Sequence, residues 1–149
     1  MPTAIHQQVR DCQSGQFARA VCKLKSGWVI LGHPQIVPGY CLLLPDPVVP
    51  HLNALSRAAR ALFLYEMTAV GDAILELTNA LRINYEMLGN IEPALHAHLF
   101  PRYAEEAEDV RTAPIWLHDW GAAPAFREKQ DASFMESLHE KLDQAGLVC

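Results

Sequence analysis

Cysteine is sparse in this 149-residue sequence, and its spacing implies no chemistry of its own. Cys12, Cys22, Cys41 and Cys149 form no C-x-x-C pair and no zinc-knuckle pattern, which argues against a disulfide framework or a structural zinc site. Charge of one sign is nowhere concentrated. The net charge is −5, with no long acidic or basic run, so the basic face expected of a general nucleic-acid binder is missing. Long apolar runs are missing too. The densest stretch, Leu62 to Ala80, is interrupted by Glu66, Asp72 and Glu76 and cannot span a bilayer. Met1 to Arg10 is polar and lacks the apolar core of a secretory leader. The expectation is a cytoplasmic protein with reduced thiols and neither nucleic acid nor membrane as partner. No repeat, low-complexity segment or linker divides the chain.

What the sequence does contain is core. Half of its residues are apolar and 19% are charged, the balance of one ordinary globular domain over residues 1–149. Gln16–Leu24, Trp28–Leu31 and Tyr40–Leu44 read as three strands joined by turn signals at Lys25-Ser26-Gly27, Gly32-His33-Pro34 and Val37-Pro38-Gly39. A long helix follows, capped by Ser56 and extended to Leu81, with Ala59, Leu62, Ala69, Ala73, Leu77 and Leu81 as its apolar stripe, widened by Phe63, Val70 and Ile74. Arg57, Arg60, Glu66 and Asp72 take the other face, and Gly71 suits a close approach to the sheet or to a second subunit. Ile83–Met87 and Leu95–Tyr103 read as two more strands. Residues 105–110 form an acidic loop or short turn, and Thr112–Phe126 is an ordered irregular tail with Trp116 and Trp120. A last helix is capped by Asp131, buries Phe134, Leu138 and Leu142, and ends at Gly146. The fold class is α+β: a mostly antiparallel five-stranded sheet with one long helix packed on it and a C-terminal helix, with 112–149 as an extension packed on the domain.

The chemistry concentrates on the fifth strand. His96 and His98 are two apart, so their rings share one face, about 7 Å apart at Cα, while Leu95, Ala97 and Leu99 face the other way. Such a pair suits a phosphate or a metal, or is simply two satisfied histidines.

The surrounding residues favour the phosphate. The segment INYEMLGNIEPALHAHLFPRY (Ile83 to Tyr103) resembles the signature of the histidine triad family, a strand of alternating histidines often followed by Pro-Arg. The match runs through Asn84, the Gly89-Asn90 turn, the histidine strand and Pro101-Arg102-Tyr103. IVPGYCLLLP (Ile36 to Pro45) is similar to the family's strand before the long helix, and HLNAL (His51 to Leu55) to its approach to that helix. The resemblance covers roughly Trp28 to Trp116. Anchoring on Pro101-Arg102 puts the second and third triad histidines at His96 and His98, and the first at Ala94. A position that usually carries a ribose-contacting acid or amide falls near Gly32, with His33 as a substitute.

The resemblance implies a nucleotide hydrolase or nucleotidyl transferase, acting for example on dinucleoside polyphosphates, with no cofactor or metal and commonly as a homodimer through the long helix and an adjoining strand. His96 would attack the α-phosphate through a covalent nucleotidyl-histidine intermediate, its other ring nitrogen held by a backbone carbonyl that survives the change to Ala94. His98 would contact the phosphate oxygens. Asn84, Gly89, Asn90 and Arg102 would form the phosphate site, although Arg102 equally suits an ion pair with Glu105 or Glu106, and Asn90 a turn. Ile30, Leu31, His33 and Leu42 would form the nucleoside pocket, or plain core. Two other functions remain open from the sequence: a metal-dependent enzyme using His96 and His98 with His118, Asp119 or His51, and a nucleotide-binding protein with little catalysis.

Overall fold

A computed structural model describes all residues, Met1 to Cys149. The chain forms helix α1 (Ala4–Gln13), strands β1 (Ala20–Lys23), β2 (Gly27–Leu31) and β3 (Cys41–Pro45), helix α2 (Arg57–Leu77), strands β4 (Arg82–Glu86) and β5 (Ala97–Arg102), and helix α3 (Glu128–Gln144). The five strands make one sheet of order β1-β2-β3-β5-β4, each hydrogen-bonded neighbour antiparallel. This is the expected α+β class. The α2 crossover carries the chain past one strand position, so β4 lands on the outer edge and β5 turns back into the gap beside β3.

Alternation along the strands sorts two cores. Val29, Leu31, Cys41, Leu43, Ala97 and Leu99 point to one face and pack on Phe63, Met67, Val70 and Ile74 of α2 and Leu138 and Leu142 of α3. Ile30, Leu42, Leu44 and Phe100 point to the other and meet Ile5, Val9 and Cys12 of α1, with Tyr40, Tyr103 and Ile115. Central β3 is covered on both faces and buried along its whole length, which is why it is a continuous apolar run.

Several boundaries differ from the sequence reading. Helix α1 was not expected: Ile5, Val9 and Cys12 recur at i, i+4 and i+7, and Thr3 with His6 closes a capping box at its start. The first strand is short and interrupted between Ala20 and Cys22, because Gln16 to Arg19 turns out of the sheet. Ser56 does cap α2, accepting from the Ala59 N–H at 3.2 Å. The helix stops at Leu77, however, and leaves Leu81 exposed. There Thr78 leaves helical geometry and donates its hydroxyl to the Ile74 carbonyl. Glu66 is not on the solvent face; it is 1% exposed and accepts the Ser26 N–H at 2.7 Å, tying α2 to the β1–β2 turn. Gly71 makes room for the Tyr85 hydroxyl of β4, so its close approach is to the chain's own sheet. Helix α3 begins at Glu128, and Asp131 lies inside its first turns, accepting the Arg127 N–H at 2.8 Å.

Candidate active site

His96 sits one residue before the β5 ladder, and His98 is inside it. Ala97 between them is fully buried on the α2 side, so both imidazoles project to the α1 side. Their centroids lie 4.8 Å apart with planes at 76°. The sheet register aligns His98 with Leu42 of β3, Leu42 with Ile30 of β2, and His98 with Glu86 of β4. One lateral row on one face therefore reads Ile30, Leu42, His98, Glu86.

The two Nδ1 atoms are engaged. His96 Nδ1 lies 2.6 Å from the Ala94 carbonyl oxygen, which can only accept, so the hydrogen is on Nδ1 and the neutral ring keeps its lone pair on Nε2. His98 Nδ1 and the Tyr40 hydroxyl share a hydrogen bond at 2.7 Å. Neither Nε2 has a partner within the protein, and neither is sealed from solvent. His96 is 9% exposed. Burial, with the neighbouring His96 second, pushes the His98 pKa down to about 4, so that ring is neutral at pH 7.

Aromatic rings enclose His98. Phe100 stacks on it at 5.4 Å and 8°, and Trp116 meets it edge-on at 5.4 Å. Trp120 stacks on Trp116 at 5.1 Å, and Tyr40 stacks on Phe100 at 4.4 Å. Neither tryptophan nor Tyr40 was assigned to the site from the sequence. The signal was available in part, since two tryptophans in a proline-broken tail need a surface to pack on. Trp116 is 40% exposed and forms the outer wall beside the histidines.

The other expected residues divide. Asn84 is on the histidine face opposite Phe100; its Oδ1 accepts from Arg102, and its amide nitrogen makes no hydrogen bond. Gly89, at φ +68°, forms the turn of the β4–β5 connection, and Asn90 is exposed beside it without a hydrogen bond. Arg102 takes the second of its two expected roles, the ion pair: it is 6% exposed and donates to Glu106, Asn84 and the carbonyls of Val110, Arg111 and Ala113, so its guanidinium staples the following loop. Leu31 is plain core, the alternative reading, because its parity turns it to the α2 face. His33 is exposed and accepts the Phe126 N–H at 3.1 Å, which directs it to the tail and away from the sheet face. Ile30 and Leu42 remain on the histidine face, buried.

For a metal, His118, Asp119 and His51 do not join His96 and His98. His118 Nε2 lies 2.7 Å from Glu106, Asp119 caps the turn at Ala122, and His51 is exposed ahead of α2; no three such side chains gather as a ligand set. A cleft of about 730 Å³ runs along the β4 edge past Arg82, Asn84, Glu86, Arg111 and Pro114. A second, of about 1030 Å³, lies between the end of α2 and the acidic loop, by Leu77, Tyr103, Asp109 and Leu117. The histidines line neither, but Glu86 of the first is the register partner of His98.

Solved structures superpose on this arrangement. A histidine triad protein from Marinobacter aquaeolei VT8 matches with a TM-score of 0.75 at 22% identity, over 95% of this chain and 97% of its own. One from Sinorhizobium meliloti 1021 matches at 0.71 and 24% identity, over 83% and 88%. A hypothetical histidine triad nucleotide-binding protein from Sulfolobus tokodaii strain7 matches at 0.72 and 12%, over 93% and 92%. The chain has the histidine triad fold. No family model and no curated protein matches it by sequence. In this chain β5 and the residue just before it carry the two histidines, and the backbone carbonyl of Ala94 lies against His96.

Proposed function

We propose that the protein is a nucleotide hydrolase or nucleotidyl transferase that attacks an α-phosphate with His96 Nε2. One observation carries this reading: the Ala94 carbonyl holds the Nδ1 proton of His96 at 2.6 Å and leaves an unpartnered lone pair on Nε2. A backbone carbonyl supplies that contact whatever side chain stands at position 94.

In the first step Nε2 forms a bond to phosphorus as the bond to the leaving group breaks, and the leaving group departs with the electron pair. In the second, water attacks the nucleotidyl-histidine. The P–N bond breaks, one water proton is released, and the nucleoside monophosphate leaves with His96 neutral again. His98 faces the same phosphoryl group, and the free amide of Asn84 and the turn at Gly89-Asn90 are its further donors. In the same lateral row Leu42, 7% exposed beside His98, is the apolar residue against which the nucleoside would rest, whereas Ile30 is closed off in the α1-side core. Histidine triad neighbours of the fold, one of them described as nucleotide-binding, support this reading.

The test is a rapid quench in alkaline denaturant, which spares the acid-labile P–N bond, with a dinucleoside polyphosphate or a nucleoside phosphoramidate, followed by peptide mass spectrometry at neutral or higher pH. A nucleotidyl adduct on the His96 peptide is expected, and none in His96→Ala. Undiminished turnover by His96→Ala would sink the mechanism. A second reading, a nucleotide binder with little catalysis, draws on one observation: the position where the resemblance would put the first histidine is an alanine, 1% exposed in the α1-side core. Binding of AMP or GMP with no hydrolysis of either substrate class would favour it.

A further inference from the structure

We propose that Tyr40 is a positioning residue that fixes the ring proton of His98 on Nε2, so that His98 meets a phosphoryl oxygen as a hydrogen-bond donor while His96 beside it presents a lone pair. The role in phosphoryl chemistry rests on the reading of His96 as nucleophile; the proton assignment does not.

The assignment follows from counting donors. Tyr40 is 4% exposed, and its hydroxyl has one partner in the protein, His98 Nδ1. A buried phenol must place its proton somewhere, and the one acceptor within reach is that nitrogen. Tyr40 therefore donates and His98 Nδ1 accepts, which leaves the single hydrogen of the neutral ring on Nε2. The reverse arrangement would orphan the phenolic proton in a closed aromatic site. Burial raises the Tyr40 pKa well above its ordinary value and lowers that of His98, so both partners are neutral at pH 7.

The ring is held where this contact is made. A Cβ at Gly32 would run into the Tyr40 ring, so glycine at 32 is what admits a tyrosine here. Phe100 stacks on the ring at 4.4 Å. Gln35 clamps the loop that carries it, donating to the Gly32 and Tyr40 carbonyls and accepting the Gly39 N–H at 3.0 Å. Position 32 thus serves Tyr40 by being empty, in place of a side-chain contact to ribose.

The two histidines then hold opposite tautomers 4.8 Å apart. As His96 Nε2 bonds to phosphorus, charge grows on the non-bridging oxygens, and a fixed N–H aimed at them stabilises that charge, whereas a lone pair would repel it.

Long-range proton–nitrogen correlation spectra of the native protein at pH 7 read the tautomer directly. The expected pattern is Nε2–H for His98 and Nδ1–H for His96. Tyr40→Phe keeps the ring and its stacking and removes only the hydroxyl. It is expected to bring the Nδ1–H form of His98 into the spectrum and to lower kcat by about 10- to 100-fold with KM within about twofold. A native His98 already in the Nδ1–H form would overturn the proposal without any variant. So would a Tyr40→Phe protein in which the tautomer is unchanged, or in which it changes while kcat does not. The spectra decide the proton assignment even if no nucleotide is turned over, so its failure and that of the nucleophile reading are told apart.

Discussion

Replacing Arg102 by methionine removes a guanidinium that holds Glu106, Asn84 and three backbone carbonyls, and keeps much of its volume. What stays behind is a carboxylate with 7% side-chain exposure, the carbonyls of Val110, Arg111 and Ala113, and a loop with no central tie. Breaking a buried, hydrogen-bonded ion pair from one side costs about 3–5 kcal/mol. At about 3 °C per kcal/mol for a chain of this size, the melting temperature should fall by about 10–15 °C. The deficit should also depend on pH with a definite sign. Burial raises the Glu106 pKa, but hydrogen bonds from Arg102, the Tyr103 N–H and His118 outweigh it, and the carboxyl is held below its ordinary 4.5. That depressed pKa contributes stability above about pH 4.5 and loses it as acid protonates the folded state. Wild type and Arg102→Met should therefore converge as pH falls below that range. Urea titrations at pH 7 and at pH 3.5–4 measure both effects. A deficit under about 1 kcal/mol, or one that does not narrow in acid, would refute the assignment of Arg102 as a staple.

Three further outcomes are expected. Because burial lowers the His98 pKa to about 4 against 6.5 unfolded, the unfolded chain binds the extra proton first, and stability should fall between about pH 6.5 and 4 by up to about 3 kcal/mol; His98→Gln should remove that contribution to the pH dependence. Ala94→His forces a large side chain into a buried alanine position of the α1-side core and should cost about 1–3 kcal/mol in chemical denaturation, and a histidine there, where the sequence resemblance would put the first of the triad, should change the steady-state rate on at least one nucleotide; an unchanged rate on every substrate would remove any role for the side chain at 94. β4 pairs with β5 on one side and leaves its outer edge free, Leu81 just before it is exposed, and so is Tyr65 on α2; we propose a homodimer through this strand and helix, for which sedimentation equilibrium should give twice the monomer mass, and a monomer at micromolar concentration would count against it.

The sequence by itself determined what alternation and short-range chemistry can encode. The apolar runs at Trp28–Leu31 and Tyr40–Leu44 became strands, Ser56 capped its helix, and the two-residue spacing of His96 and His98 put both rings on one face. Even α1 was legible in its Ile5, Val9, Cys12 spacing, though a short polar segment gave it little weight. Parity also separates Leu31 from Ile30, but parity alone does not name the face that carries the chemistry. Only the tertiary structure decided which groups meet there. Tyr40 reaches His98 across 58 positions of chain, the Trp116 tail folds back over the same ring, and the carbonyls of Val110 and Ala113 join Glu106 on the arginine of the histidine strand. Those contacts depend on the strand order and on where the tail closes, and sheet pairing over long loops leaves no local pattern from which to read them.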